Sequence, residues 1–311
     1  MEEIIPKIDR SLILAELTED RLLRFTNKTN NRIYVVDAHS ASATMRELGR
    51  LREIAFRAAG GGTGKSCDID FFDTMDPPCR QLIVWDPDDQ EIAGGYRFIL
   101  GEDVKIADGR PRIATSHMFD FSEKFLSDYL PYTLELGRSF VATEYQASGN
   151  RQKALYVLDN LWDGLGALTV KYPQIRYLFG KMTMYPTYGA HERDLLLGFL
   201  RKHFPDPDRL VTPRMPLECN ADSEDIRALL SGADFREDYK ILHSLIRRSG
   251  QNIPPLINAY MSLSPTMRMF GTAINDEFGD VEESAIFIKI SDIFEEKKRR
   301  HIGTYTPPAA G

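Results

Sequence analysis

Thr133-Leu134-Glu135-Leu136-Gly137-Arg138-Ser139-Phe140-Val141-Ala142-Thr143 reads as a β-strand whose apolar run is broken by two charged residues and a glycine. A helix follows over 152–172, where Leu155, Leu158, Leu161, Trp162, Leu165 and Leu168 recur at helical spacing and mark a core-facing stripe. Next come a strand over 175–184 and a helix over 192–203, which Pro205 and Pro207 stop. Upstream, 81–85 and 91–100 are apolar, partly β-branched runs joined by the turn signal Pro87-Asp88-Asp89, a hairpin. Before them stand a short strand over 33–36 and a helix over 43–58, with Met45, Leu48, Leu51 and Ala55 on one face. This order predicts an α/β fold with one mixed sheet covered by helices.

The division expected is an N-terminal arm (1–32), a core (33–204) and a C-terminal extension (205–311) that completes the sheet or the substrate pocket. The extension carries a helix over 238–249, the turn-like Ile253-Pro254-Pro255 and a strand over 283–290. A net charge of -7 argues against nucleic acid as a partner, because phosphate neutralisation needs a surplus of cations on one face. Lys297-Lys298-Arg299-Arg300 reads as the solvated end of a helix. The first residues lack the pattern of a signal peptide, and no segment approaches the roughly 18 apolar residues of a span, so a cytoplasmic location is expected. Cys67, Cys79 and Cys219 are too scattered for a disulfide framework. None of the six histidines stands at metal-ligand spacing, and no metal is predicted.

The loudest motif is Ala59-Gly60-Gly61-Gly62-Thr63-Gly64-Lys65-Ser66, a loose form of the phosphate-binding loop. A working loop of that kind follows a strand and opens a helix. Here a helix leads in, and Cys67-Asp68-Ile69-Asp70-Phe71-Phe72-Asp73 leads out with three carboxylates. A mobile loop beside an active site fits that context better than a nucleotide-binding switch built on Lys65.

Arg52-Glu53-Ile54-Ala55-Phe56-Arg57, Asp68-Ile69-Asp70 with Asp73, Gln81-Leu82-Ile83-Val84, Gly94-Gly95-Tyr96-Arg97 and Leu134-Glu135-Leu136-Gly137-Arg138 occur in one order. As a set they resemble a GNAT-related family: the ornithine and glycine N-acyltransferases of bacterial aminolipid synthesis, with the long-chain N-acyl amino acid synthases and the acyl-homoserine lactone synthases. The resemblance covers about 40–185, and Pro254-Pro255-Leu256 through Tyr260, with Asn275-Asp276-Glu277-Phe278, looks like the aminolipid branch. It implies a GNAT-like mixed central sheet with helices on both faces. The implied reaction moves a long, optionally 3-hydroxylated acyl chain from acyl carrier protein to the α-amine of glycine or ornithine. No cofactor is held permanently; the phosphopantetheine thioester is the donor substrate. A lipid product would bring the enzyme into peripheral contact with a membrane. A non-catalytic acyl-carrier binding module is the alternative from another class.

The resemblance also implies roles. Glu135 is the candidate base and Arg138 its companion, with a structural ion pair between them as the alternative. Arg52, Asp70, Asp73 and Arg97 form a polar network beside the acceptor; Arg97 grips a carboxylate or pairs with Asp70 or Asp73. Phe56 is core or substrate contact. Gly137, Ser139, Gln146 and Gly149 attend the acyl and pantetheine chain. Gln146-Ala147-Ser148-Gly149-Asn150-Arg151 only partly resembles the superfamily's pyrophosphate loop, since Arg151 stands where a small residue is usual, and this favours a carrier protein over coenzyme A. Two physical questions stay open in the sequence. Burial would raise the Glu135 pKa and Arg138 would lower it. Residues three apart face opposite sides of a regular strand, so a bulge at Leu136 or Gly137 is needed to bring Glu135 and Arg138 together.

Overall fold

A computed structural model describes residues 1–146 and 151–307, without the side chains of Arg151 and Gln152. Its centre is an eight-stranded sheet: β1 (Leu22–Phe25), β2 (Arg32–Val36), β3 (Arg80–Asp86), β4 (Glu91–Leu100), β5 (Thr133–Val141), β6 (Tyr177–Met184), β7 (Arg268–Asn275) and β8 (Val281–Lys289). The spatial order is β1-β2-β3-β4-β5-β6-β8-β7. Every pairing is antiparallel except β5 with β6. β1 comes from the N-terminal 32 residues, and β7 and β8 come from beyond residue 205.

Two long helices cover opposite faces, and a pair of glycines shows why they can. A Cβ on Gly94 would stand 2.9 Å from Val157 of α3 (Arg151–Lys171), whereas one on Gly95 would point the other way, 3.5 Å from Leu48 of α1 (Ser42–Ala59). Between α1 and β3 lies the single turn α2 (Phe71–Thr74). The α3 stripe packs as its spacing predicts at Leu161, Leu165 and Leu168, all buried, but Leu155 is exposed. After α4 (Ala190–His203) and α5 (Phe235–Arg248), the short α6 (Pro255–Met261) buries Ile257, Tyr260 and Met261. No helix among the described residues is long and apolar enough to cross a membrane.

Candidate active site

The parallel pair β5 and β6 opens like a fork. It pairs only at Thr133 with Tyr177, Leu134 with Leu178 and Glu135 with Phe179. Beyond that point both strands continue without each other, to Val141 and Met184. On its other side β5 carries a bulge: Arg97 pairs with Gly137 and Gly95 with Phe140, so two steps on β4 face three on β5. Arg138 sits inside this irregularity at φ 50°, in the left-handed region that a non-glycine residue adopts only when its surroundings impose it. The extra residue repairs the parity. Glu135 and Gly137 share the α1 face, Phe140 returns to it against Phe56 at 6.4 Å between rings, and Arg138 turns its guanidinium to the same side. The bulge expected at Leu136 or Gly137 therefore lies one residue further on.

Three arginines and three aspartates tie this face together. Asp70 and Asp73 form a capping box around α2: Asp70 accepts from the Phe72 and Asp73 amides, and Asp73 accepts from the Asp70 amide at 3.1 Å. That local turn aims both carboxylates at the sheet. Arg97 Nη1 donates to both Asp70 oxygens at 2.7 Å and lies 3.4 Å from Asp73 Oδ2. Arg52, wholly buried in α1, meets Asp73 at 3.4 Å and donates to Gln81, whose amide reaches Asp73 Oδ1 at 2.9 Å. Arg138 Nε stands 3.0 Å from Asp68 Oδ2, and its guanidinium lies over Phe278 at 4.4 Å. Burial works against the Asp70 charge, but Arg97 and Arg138 outweigh it and hold the carboxyl well below the usual range. Asp68 goes the other way: burial pushes its pKa up, and Arg138 offsets that only in part.

Glu135 is the carboxylate left over. It is buried, accepts no hydrogen bond among the described residues, and feels the charges of Arg97, Lys181 and Arg138, with Asp70 opposing them. Burial pushes its pKa up, and those cations do not restore it. Of the two opposing effects legible in the sequence, desolvation wins.

The fork encloses a cavity of about 320 Å³ that passes from one face of the sheet to the other. On the α1 face the charged side chains of Arg97, Glu135, Arg138, Lys181 and Glu283 line it beside Phe56 and Phe278; on the α3 face its walls are apolar, with Trp162, Leu178, Ile286, Ile288 and Tyr260. Residues 51–155 match the family model described as acetyltransferase (GNAT) domain. A glycine N(alpha)-acyltransferase of Bacteroides thetaiotaomicron is 60% identical over 306 residues, 98% of this chain and 91% of that protein. Its namesake from Phocaeicola vulgatus is 58% identical, over 98% of this chain and 94% of its own length. The chain belongs to this GNAT acyltransferase family. Among solved structures, the acyl-homoserine lactone synthase LasI aligns at a TM-score of 0.43 and 9% identity, over 91% of this chain and 100% of that one.

The acyltransferase brings some of the expected site residues to the cavity and leaves others behind it. Glu135, Gly137, Arg138, Ser139 and Arg97 line it, as does Phe56. Arg52, Asp70 and Asp73 stand one layer back, where they fix Arg97 and Arg138. Gln146 is exposed and donates to the Val141 carbonyl, and Gly149 lies outside the described residues. Neither Lys181 nor Glu283 belongs to any of the sequence motifs. A lysine between Phe179 and Met182 in an apolar strand was the one visible signal for the first; the second is brought in only by the pairing of β8 with β6.

The phosphate-loop lookalike is occupied by the enzyme itself. α1 ends at Gly60 in the left-handed conformation, and the chain then folds back over Glu53. The Thr63 amide and hydroxyl donate to Glu53 Oε2 at 3.1 and 2.8 Å, and the Gly64 amide donates to Oε1 at 2.8 Å. Burial opposes that charge, but the hydrogen bonds of Arg57, Thr63 and Gly64 prevail and lower the Glu53 pKa. The amides that would cradle a phosphate thus already hold a carboxylate, and Gly61 packs against Tyr185 at the cavity wall.

Proposed function

We propose that this acyltransferase moves a long acyl chain from the phosphopantetheine thioester of acyl carrier protein to the α-amine of glycine, forming an N-acylglycine. The observation that carries the reading is the cavity through the fork, which holds its charged residues on one face of the sheet and is apolar on the other. An amphiphilic product asks for such a cavity: the acyl chain lies among Trp162, Leu178 and Ile286, and the amino acid meets the charged side. The two relatives named for glycine, at 60% and 58% identity, support that acceptor over ornithine.

Glu135 takes the proton from the attacking amine, directly or through one water, and its raised pKa makes the ionised carboxylate a stronger base. The carbon-nitrogen bond forms as the carbonyl carbon releases the pantetheine thiolate, which then accepts a proton. Strand edges that no longer pair beyond Glu135 and Phe179 offer backbone N–H groups to the developing oxyanion. Arg138 supplies positive charge on the acceptor side. Acyl carrier protein is favoured over coenzyme A as donor by the departure of 146–151 from the pyrophosphate-loop pattern, and a lipid product would bring the enzyme into peripheral contact with a membrane. The test is an assay of purified enzyme with acyl carrier protein and coenzyme A thioesters against a panel of amino acids, read by mass spectrometry. N-acylglycine from the carrier thioester is expected; no amide with any amine would defeat the reading.

A further inference from the structure

Lys181 and Glu283 form an ion pair inside the cavity that the transfer chemistry leaves unused. Lys181 stands two residues beyond Phe179, the partner of Glu135, so it shares the Glu135 face about 7 Å further along the sheet. Its ammonium meets Glu283 Oε2, and the two side chains are 11% and 5% exposed. Glu283 is otherwise held rigidly. Thr183 Oγ1 donates to its Oε1 at 3.2 Å and Asn275 Nδ2 to its Oε2 at 3.1 Å, while Asn275 Oδ1 lies 3.2 Å from His117 Nε2. The three arginines of the neighbouring network are each matched by aspartates. Without Lys181, Glu283 would be a fixed carboxylate on the cavity wall with no cation of its own.

Lys181 presents to Glu283 an ammonium on a flexible four-carbon stem, which is what the side chain of an α,ω-diamino acid would present. An acceptor with its α-amine at Glu135 would extend such a side chain across β6 toward β8, into the position that Lys181 already fills. We propose that Lys181 is the acceptor filter of this enzyme: by neutralising Glu283 and repelling a second ammonium it excludes diamino acids and leaves a site for acceptors with no side-chain charge. The filter rests on the reading of the cavity as a site of acyl transfer to an amino acid.

The test compares glycine and ornithine as acceptors of one acyl thioester, for the wild type and Lys181→Met in parallel. The ratio of kcat/KM for ornithine to that for glycine is expected to rise about tenfold or more in Lys181→Met, because a like-charge clash is replaced by an attraction. The double variant Lys181→Met with Glu283→Gln, which removes the carboxylate as well, is expected to lose that gain. An unchanged ratio in Lys181→Met overturns the filter. So does equal loss of both acceptors in a variant that melts like the wild type, which would make Lys181 an anchor for the acceptor carboxylate. A wild type that acylates no amino acid defeats the underlying function, and the filter with it. If Lys181→Met does not fold, Lys181→Gln gives the same comparison with a polar partner kept beside Glu283.

Discussion

The loop from Gly60 to Ser66 spends its backbone amides on the protein's own carboxylates, whereas the strand Thr133–Val141 leaves a carboxylate facing a cavity. In the loop, the Thr63 and Gly64 amides are spent on Glu53, and the Ser66 amide on Glu2. In the strand, Glu135 accepts no hydrogen bond among the described residues, beside a fork in the sheet and at a raised pKa. A motif advertises chemistry by composition. A site is recognised by unsatisfied groups that face a cavity.

Four substitutions break or sharpen this contrast, in order of expected effect. Glu135→Gln should lower kcat by about 10²-fold or more, since it removes the proposed base and keeps the shape. The wild-type rate should fall as pH drops through a value above the ordinary carboxylate range, because the base works only when ionised; the variant should lack that limb. Burying a neutral amide also removes the cost of a charge, so the variant should melt higher by an amount worth about 1 kcal/mol. Glu53→Ala should destabilise the fold by about 2 kcal/mol, read by chemical denaturation, because the Thr63 and Gly64 donors lose their acceptor. With a depressed pKa, Glu53 contributes its stability above the usual carboxylate range and loses it on acidification.

Trp162→Ala sharpens the apolar half of the comparison. Trp162 and Leu178 line both the large cavity and a small pocket toward His301 and Ile302. Removing the indole should join the two spaces and shift preference toward longer acyl chains, about tenfold in relative kcat/KM across a chain-length series. Lys65→Ala should do least: Lys65 is exposed and does not line the cavity, and activity should stay within about twofold, with no ATP binding by calorimetry in either protein.

Much of the sheet was legible because β3, β4 and β6 carry dense apolar and β-branched runs, and α1 carries a clean stripe. β1 was not, since four residues with an arginine in the middle give no period to read. Asp70 and Asp73 could be placed near Arg97 through the ordered motifs. Their direct role could not, because whether a side chain lines a cavity or stands behind it is decided by tertiary packing, and Arg52 proves to be wholly buried. The bulge was inferred from parity, yet its position at Arg138 depends on the pairing of Arg97 with Gly137, a contact between strands distant in sequence. Lys181 and Glu283 meet only because β6 and β8 are neighbours, and nothing local to either residue announces the other.

The most direct test of the fork as the transfer centre is a crystal structure with a hydrolysis-resistant acyl-pantetheine analogue. The account predicts the pantetheine between β5 and β6, its carbonyl within hydrogen-bonding distance of backbone N–H groups just past Glu135, and the acyl chain among Trp162, Leu178 and Ile286. An analogue bound along Gly60 to Ser66, with the fork empty, would contradict it.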